Sequence, residues 1–265
     1  MMSKNKKFEL DIAILTAGRV DLFEKCVDAV LKQYNPSYQI HVHNNGHPSK
    51  EYEEVYKKLP KDSVIIRSNA NEGFGGGANK AIKSGSAPLV LFITDDIFIH
   101  EGAIQTLLNT MRDTTIGQCG YKFMFPEDSL EPNRPAGKVQ HVGLATQING
   151  NIIHPLIGWN PNHPKCNISR DVIAVTGASF MVRRDVFGRT RGFDPIYGKG
   201  YYEDVDLSFH IRALGFRIYI ETQATATHGV GQTFKNEPPI NFTQNQEIFK
   251  MRWAGQMMWS EFLMW

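Results

Sequence analysis

The feature that most limits what this chain can fold into is an alternation of short apolar runs and amphipathic stretches, sustained from Leu10 to Asp95. Leu10 to Leu15 reads as a strand. Asp21 to Leu31 reads as a helix that turns Leu22, Cys26, Ala29 and Val30 inward, and Tyr38 to Val42 as the next strand. A polar helix around Lys50 to Lys58, a strand at Ser63 to Ile66, a helix near Ala78 to Lys83 and a strand from Pro88 to Ile93 follow. Repeated β-α-β units predict an α/β fold, a Rossmann-like central sheet, mostly parallel and flanked by helices.

Beyond Asp95 the rhythm loosens. A helix leads from Ile104 to Gly117, and the Pro- and Asn-rich stretches Pro126 to Pro135 and Asn160 to Asn167 enclose short strands. Order resumes at Val172 to Val175, Phe180 to Arg183 and Phe216 to Ile220. With no linker and no repeat, 1–265 reads as one domain: a first half over 8–100, a second over 101–232 and a helical C-terminal segment over 233–265.

Composition narrows the function. At 265 residues and 42% hydrophobic content a full core is within reach. The net charge of +2 leaves no electrostatic footprint for nucleic acid, so no specific nucleic-acid partner is expected. Cys26, Cys119 and Cys166 are odd in number and far apart, which fits neither a disulfide framework nor a Cys-x-x-Cys site and suits a reducing compartment. No apolar run approaches a bilayer span and no leader-like segment opens the sequence, so a cytoplasmic protein is expected.

Two acidic clusters carry the chemistry. Asp95 and Asp96 end a buried-type strand, and open parallel sheets bind ligands at that edge. Neighbouring strand residues point to opposite faces, so one carboxylate, Asp96, is expected to hold a hard divalent cation, Mn²⁺ or Mg²⁺, with Asp95 in support. A solvated Asp-Asp turn is the plainer alternative. The second cluster, Glu203, Asp204 and Asp206, opens a helix striped by Leu207, Ile211 and Leu214, where the helix dipole by itself favours acids. Between strand and helix, Asn71-Glu72-Gly73-Phe74-Gly75-Gly76-Gly77-Ala78-Asn79 reads as a loop whose free N–H groups suit an anion or polar ligand; its spacing is neither G-x-G-x-x-G nor a phosphate loop.

The order of these parts resembles the inverting family 2 glycosyltransferases of GT-A fold, particularly the rhamnosyl-type enzymes that build bacterial surface polysaccharides. The resemblance rests on Ile14-Leu15-Thr16, Val42-His43-Asn44-Asn45-Gly46, Asn71-Glu72-Gly73-Phe74-Gly75, Thr94-Asp95-Asp96, Thr176-Gly177-Ala178, Gly192-Phe193-Asp194, Glu203-Asp204-Val205-Asp206-Leu207 and His228. It implies a nucleotide-sugar donor, UDP- or dTDP-linked, bound by the first half, and a glycan or lipid-linked acceptor met by the second. By the same resemblance Thr16, Ala17 and Arg19 meet the nucleotide, and Asn71, Gly73, Phe74 and Asn79 close over base and ribose. Asn44 stands where the family usually has an aspartate reading the pyrimidine, and an amide can still donate and accept there. Asp96 matches the metal carboxylate of a shortened D-x-D motif, Asp95 the ribose or metal-water contact, and His228 the histidine that completes the metal site. Asp204, with Glu203 as the alternative, matches the catalytic base.

His141, His154 and His163 lack the spacing of a zinc site and read as polar loop residues, with His141 a candidate for the acceptor cleft. Phe249, Trp253, Met257, Met258, Trp259, Phe262 and Trp265 form a helical stripe expected to pack on the domain or on a second copy, the alternative being contact with the inner face of a membrane. Two rival functions share the outline, a sugar nucleotidyltransferase and a degenerate module that binds glycans or nucleotide sugars without turnover. The short Thr16-Ala17-Gly18-Arg19 segment disfavours the first and the two intact acidic clusters disfavour the second.

Overall fold

The computed structural model describes residues 8–33, 37–147, 149–198, 200–229 and 242–255. In chain order its elements are β1 (Leu10–Thr16), α1 (Val20–Leu31), β2 (Tyr38–Asn44), α2 (Lys50–Tyr56), β3 (Val64–Arg67), α3 (Gly73–Lys83), β4 (Leu89–Thr94), β5 (Ile97–Ile99), α4 (Ala103–Thr110) and β6 (Ile116–Met124). The second half adds β7 (Val139–His141), β8 (Ala145–Thr146), β9 (Ile152–Ile153), β10 (Arg170–Asp171), β11 (Ser179–Arg183), α5 (Arg184–Gly188), α6 (Glu203–Ala213), β12 (Arg217–His228) and α7 (Phe242–Trp253).

One large sheet runs in the order β10-β12-β6-β11-β4-β1-β2-β3, with β5 on β12 and β7 on β6. The period of two along β1 divides its core. Leu10, Ile12 and Ile14 pack on one face with α1, α2 and α4, while Ala13 and Leu15 pack on the other with α3, α5 and α6. Both faces are thus covered, which is why β4 reads as an unbroken apolar run.

The first half is parallel as expected, β3, β2, β1 and β4 running side by side in one direction. The second half is mixed. β11 lies antiparallel to both β4 and β6, and only β6 with β12 restores a parallel pair. Phe180, Met181 and Val182 are buried on both faces, so their sequence carries no mark of direction. Phe216 to Ile220 and Ala224 to Thr227 belong to one strand, β12, interrupted by a register shift between Glu221 and Thr225. Residues 172–175 form no strand; Ala174 makes a single bridge to Leu144. The glycine-rich segment differs from expectation too, because Gly73 already begins α3 and Gly75, Gly76 and Gly77 are helical. Gly77 lies flat against Leu15 and Asn45, where a Cβ would stand 2.7 and 2.9 Å from their side chains.

Phe249 and Trp253 of α7 are buried against Tyr202 and Phe209, the packing expected of that stripe. Met257, Met258, Trp259, Phe262 and Trp265 lie outside the described residues. No helix among the described residues is long and apolar enough to cross a membrane.

Candidate active site

Because β1, β2, β4, β6 and β12 all point the same way, their C-terminal ends line one edge of the sheet. Thr16, Asn44, Asp95, Asp96 and His228 are delivered there by the ends of four of those strands, and Gly177 and Ala178 by the approach to the antiparallel β11. This is the edge at which open α/β sheets bind ligands.

At the first cluster a hydrogen-bond chain fixes the loop after β1. The Gly18 N–H donates to the Tyr52 hydroxyl (3.0 Å), Tyr52 to Thr16 (2.8 Å) and Thr16 to Oδ2 of Asp95 (2.7 Å), which also accepts from the Ala17 N–H (3.2 Å). Asp95 is therefore a brace for the Thr16–Ala17 backbone. Burial, reinforced by the charge of Asp96, pushes its carboxyl up to about 7 against those hydrogen bonds. Burial also raises the Tyr52 hydroxyl, to about 12, so it stays a proton-bearing link. Arg19 forms a two-pronged pair with Asp21 (2.9 and 2.8 Å).

Asp96 is held differently. Burial pushes its carboxyl up, but the His228 charge and hydrogen bond and the Thr94 hydroxyl (2.6 Å to Oδ1) outweigh it, and the group stays below the usual carboxylate range. His228 Nε2 lies 3.4 Å from Oδ2 of Asp96, while its Nδ1 sits 2.9 Å from the side-chain oxygen Oε1 of Gln140 on β7. Gln140 accepts at Nδ1 and so turns Nε2 toward Asp96, the orientation in which a histidine can ligate a metal. A carboxylate oxygen beside an imidazole nitrogen suits a cation that accepts both O and N donors. Among the described residues no group of three or more His, Cys, Asp or Glu side chains converges, so any ion here would take its remaining ligands from substrate or water.

The second cluster opens α6. Oδ2 of Asp204 accepts from the Gly177 N–H (2.7 Å) and Oδ1 from the Val205 N–H (2.8 Å). Glu203 is buried too, and its Oε2 has no hydrogen-bond partner among the described residues. Burial, and next the charge of Asp204, pushes Glu203 up to about 8, and burial raises Asp204 as well. The pair thus favours holding one proton between its members.

Residues 176–178 tie the clusters together. Ala178 offers its carbonyl to the Thr94 N–H (2.9 Å) and hydroxyl (3.1 Å), while the adjacent Gly177 grips Asp204. Glycine at 177 gives this close approach room: a Cβ would stand 3.0 Å from Cβ of Asp204 and 3.3 Å from the Phe74 ring, tight enough that both would have to give way.

Several expected ligand contacts have other work. Asn44 is buried with both ends of its amide used, accepting from the His47 N–H (2.9 Å) and donating to the His47 carbonyl (3.1 Å) and the Tyr56 hydroxyl (3.0 Å). With these bonds Asn44 braces the loop after β2. Asn79 is likewise consumed by the backbone of Phe193, at 2.9 Å on each side, which pins the Gly192-Phe193 turn to α3. Asn71 accepts from the Gly73 N–H (2.9 Å) and from Asn45 (3.1 Å). Asn45 is the true latch: it also donates to the Gly73 carbonyl (3.0 Å) and accepts from the Glu72 N–H (3.0 Å). Phe74 packs edge-on against Phe92 and Phe193 beneath Gly177, partly buried.

Two of the three histidines read as loop residues, the buried His141 and the half-buried His154, form a pair. His141 ends β7, accepts from the Gly143 N–H at Nε2 (3.3 Å) and meets His154 Nδ1 to Nδ1 at 3.1 Å. Burial lowers both, His154 to about 4, so both are neutral at pH 7. Tyr52, Asn45 and Gln140 were not legible as site residues. Asn45 left a sequence trace in the Asn44-Asn45-Gly46 run at a strand end, and Gln140 in the Val139-Gln140-His141-Val142-Gly143 stretch, while Tyr52 left none.

Known structures share this fold. GalNAc-T7 with UDP, GalNAc and Mn²⁺ superimposes with a TM-score of 0.71 at 13% identity, over 94% of this chain and 48% of that one. The mannosyltransferase PcManGT from Pyrobaculum calidifontis, in complex with GDP-Man and Mn²⁺, gives 0.57 at 14% identity, over 86% and 59%. The fold is GT-A. In sequence the chain is 26% identical over 231 residues to the O-antigen biosynthesis protein RfbC of Myxococcus xanthus, and 19% over 257 residues to the uncharacterized protein y4gI of Sinorhizobium fredii (strain NBRC 101917 / NGR234). These alignments take in 83% and 92% of this chain but only 17% and 27% of the relatives' lengths. The model of glycosyl transferase family 2 matches residues 11–189, from the first strand through the Asp95–Asp96 turn to the end of α5, and the chain belongs to that family.

Proposed function

We propose that this chain transfers a sugar from a nucleotide-diphosphate donor, a UDP- or dTDP-sugar, to an acceptor hydroxyl with inversion at the anomeric carbon. The observation that carries the reading is the tether at 177–178, which puts a metal-suited carboxylate–histidine pair and a proton-accepting carboxylate pair on one sheet edge. Displacement at the anomeric carbon needs a base on one side and charge neutralisation of the leaving group on the other. Asp204 takes the proton of the acceptor hydroxyl as its oxygen bonds to the anomeric carbon and the bond to the diphosphate breaks. The Gly177 and Val205 N–H groups fix the direction in which its carboxylate points. Glu203 is the rival base, since its buried Oε2 has no hydrogen-bond partner among the described residues.

Asp96 and His228 would hold Mn²⁺ or Mg²⁺, which when bound supplies positive charge to the departing diphosphate. The Mn²⁺ in the GalNAc-T7 and PcManGT complexes supports this choice of ion. The similarity to an O-antigen biosynthesis protein supports a role in surface glycan synthesis with a glycan or lipid-linked acceptor.

Calorimetry with a panel of nucleoside diphosphates and nucleotide sugars, with and without Mn²⁺, tests the reading. Expected is Mn²⁺-dependent binding of a UDP or dTDP species, lost in Asp96→Ala, together with slow release of nucleoside diphosphate from the matching sugar. Release of pyrophosphate from a nucleotide sugar and triphosphate mixture would instead indicate a nucleotidyltransferase, and binding without any turnover a degenerate module.

A further inference from the structure

The turn that leads into α6 is held in a backbone conformation that side chains resist. Tyr201 and Tyr202 have φ of 70° and 75°, consecutive left-handed residues that carry large rings, immediately before Glu203. Such residues are sterically disfavoured and persist only where the surroundings impose them. The imposing group is a single buried side chain of α7. Asn245 donates through Nδ2 to the carbonyls of Tyr197 (2.8 Å), Gly200 (2.8 Å) and Tyr201 (3.1 Å), so three acceptors of one turn converge on one amide.

The same helix grips the other side of the acidic pair. Asp206, three residues after Glu203 and fully buried, accepts from Trp253 Nε1 (2.7 Å), Arg252 (2.8 Å) and the Tyr197 hydroxyl (3.0 Å). Gln246 donates to the Tyr202 hydroxyl (2.8 Å), and Phe242 packs at 5.4 Å against both Tyr201 and Tyr202. Glu203 and Asp204 therefore sit between two points of attachment to α7, a helix that lies beyond the family match at 11–189.

We propose that Asn245 is a positioning residue for the acidic pair: by gathering the carbonyls of Tyr197, Gly200 and Tyr201 it sets the backbone from which Glu203 and Asp204 project. This rests on the reading that the pair supplies the base. Asn245 touches neither carboxylate, so its effect passes through the turn alone.

Asn245→Asp and Asn245→Ala separate positioning from mere packing. The carboxylate is isosteric but faces three carbonyl oxygens with no donor, whereas alanine removes the donors without adding repulsion. Expected is faster amide hydrogen exchange over residues 200–206 and a kcat reduced about ten- to hundredfold, the aspartate variant being the worse, with donor KM and Mn²⁺-dependent UDP binding within twofold of wild type. Asn245→Ser, which keeps one donor, should fall between wild type and alanine, and it carries the comparison should either variant fail to fold. A milder loss in Asn245→Asp than in Asn245→Ala would mark the side chain as filler and overturn the proposal, as would faster exchange with unchanged kcat. If the wild-type protein turns over no nucleotide sugar, the underlying reading fails, while the exchange measurement still decides whether Asn245 holds the turn.

Discussion

Asp95 and Asp96 are met by donors and a base, whereas Glu203 and Asp204 receive backbone N–H groups and little else. In the first pair Thr16 and Ala17 occupy Asp95 while His228 and Thr94 keep Asp96 ionised. In the second, burial dominates and both carboxyls rise, with no cationic side chain at hydrogen-bonding distance among the described residues. Asp96 and the Glu203–Asp204 pair thus acquire opposite properties on one sheet edge, the first suited to holding a cation and the second to exchanging a proton. Environments that push neighbouring carboxyl groups apart in this way commonly divide acid–base work from charge binding.

The contrast breaks most visibly through the second pair. Asp204→Asn keeps the shape of the side chain and an oxygen for one backbone N–H but cannot accept a proton, so turnover should fall about a hundred- to ten-thousandfold. Glu203→Gln should be much milder if Asp204 is the base, and the order reverses if Glu203 is. Single-turnover rates for the two variants, with Mn²⁺-dependent UDP binding as a check that the first cluster is intact, decide between them. Equal, small losses in both would remove base catalysis from this cluster.

At the first pair the sharper probe is the residue behind the ligand. Gln140→Leu removes the side-chain oxygen that turns His228 Nε2 toward Asp96, and outer-shell partners of this kind are worth about ten- to a hundredfold in metal affinity. Mn²⁺ titrated into the UDP complex should bind that much more weakly to the variant, while Asp204→Asn leaves the titration unchanged. An unaltered Mn²⁺ affinity in Gln140→Leu would separate His228 from the metal.

Much of this geometry was readable from sequence where a period existed to read. The parallel half follows from runs such as Leu10 to Leu15 and Tyr38 to Val42, whose spacing and intervening helices leave few topologies open. Strand direction beyond β4 was not readable, because Phe180 to Val182 are buried on both faces and look alike in either sense. Side-chain partners at the edge were not readable for a related reason. Asn44 and Asn45 are neighbours of one type, and only the fold shows that Asn44 turns to Tyr56 and His47 while Asn45 turns to the start of α3. His141 and His154 lie thirteen residues apart and meet only because β7 and the short β8–β9 ribbon fold them together. The acidic clusters themselves were legible, since carboxylates at a strand end and at a helix start are local features; the 177–178 tether between them is tertiary and was not.

The smallest expected effect is on stability, and it distinguishes the pairs without substrate. A carboxyl raised by burial keeps its proton in the folded chain over a range where the unfolded chain has already released it, so the folded state binds more protons and stability falls as pH rises through that range. For Glu203 the range runs from the ordinary glutamate value up to about 8. The opposite sign belongs to four buried or half-buried histidines, His43, His100, His141 and His154, all held below their ordinary value, whose folding contributions grow as pH rises and are complete by about pH 7.5. Asp95, raised to about 7, shares the sign of Glu203 but has largely titrated by then. Urea midpoints measured without metal between pH 7.5 and 8.5 should therefore decline in the wild type, stay nearly level in Glu203→Gln, and decline as in the wild type in Asp96→Asn. Parallel declines in wild type and Glu203→Gln would mean that Glu203 is already ionised in the folded chain, and the difference drawn here between the two carboxylate pairs would be lost.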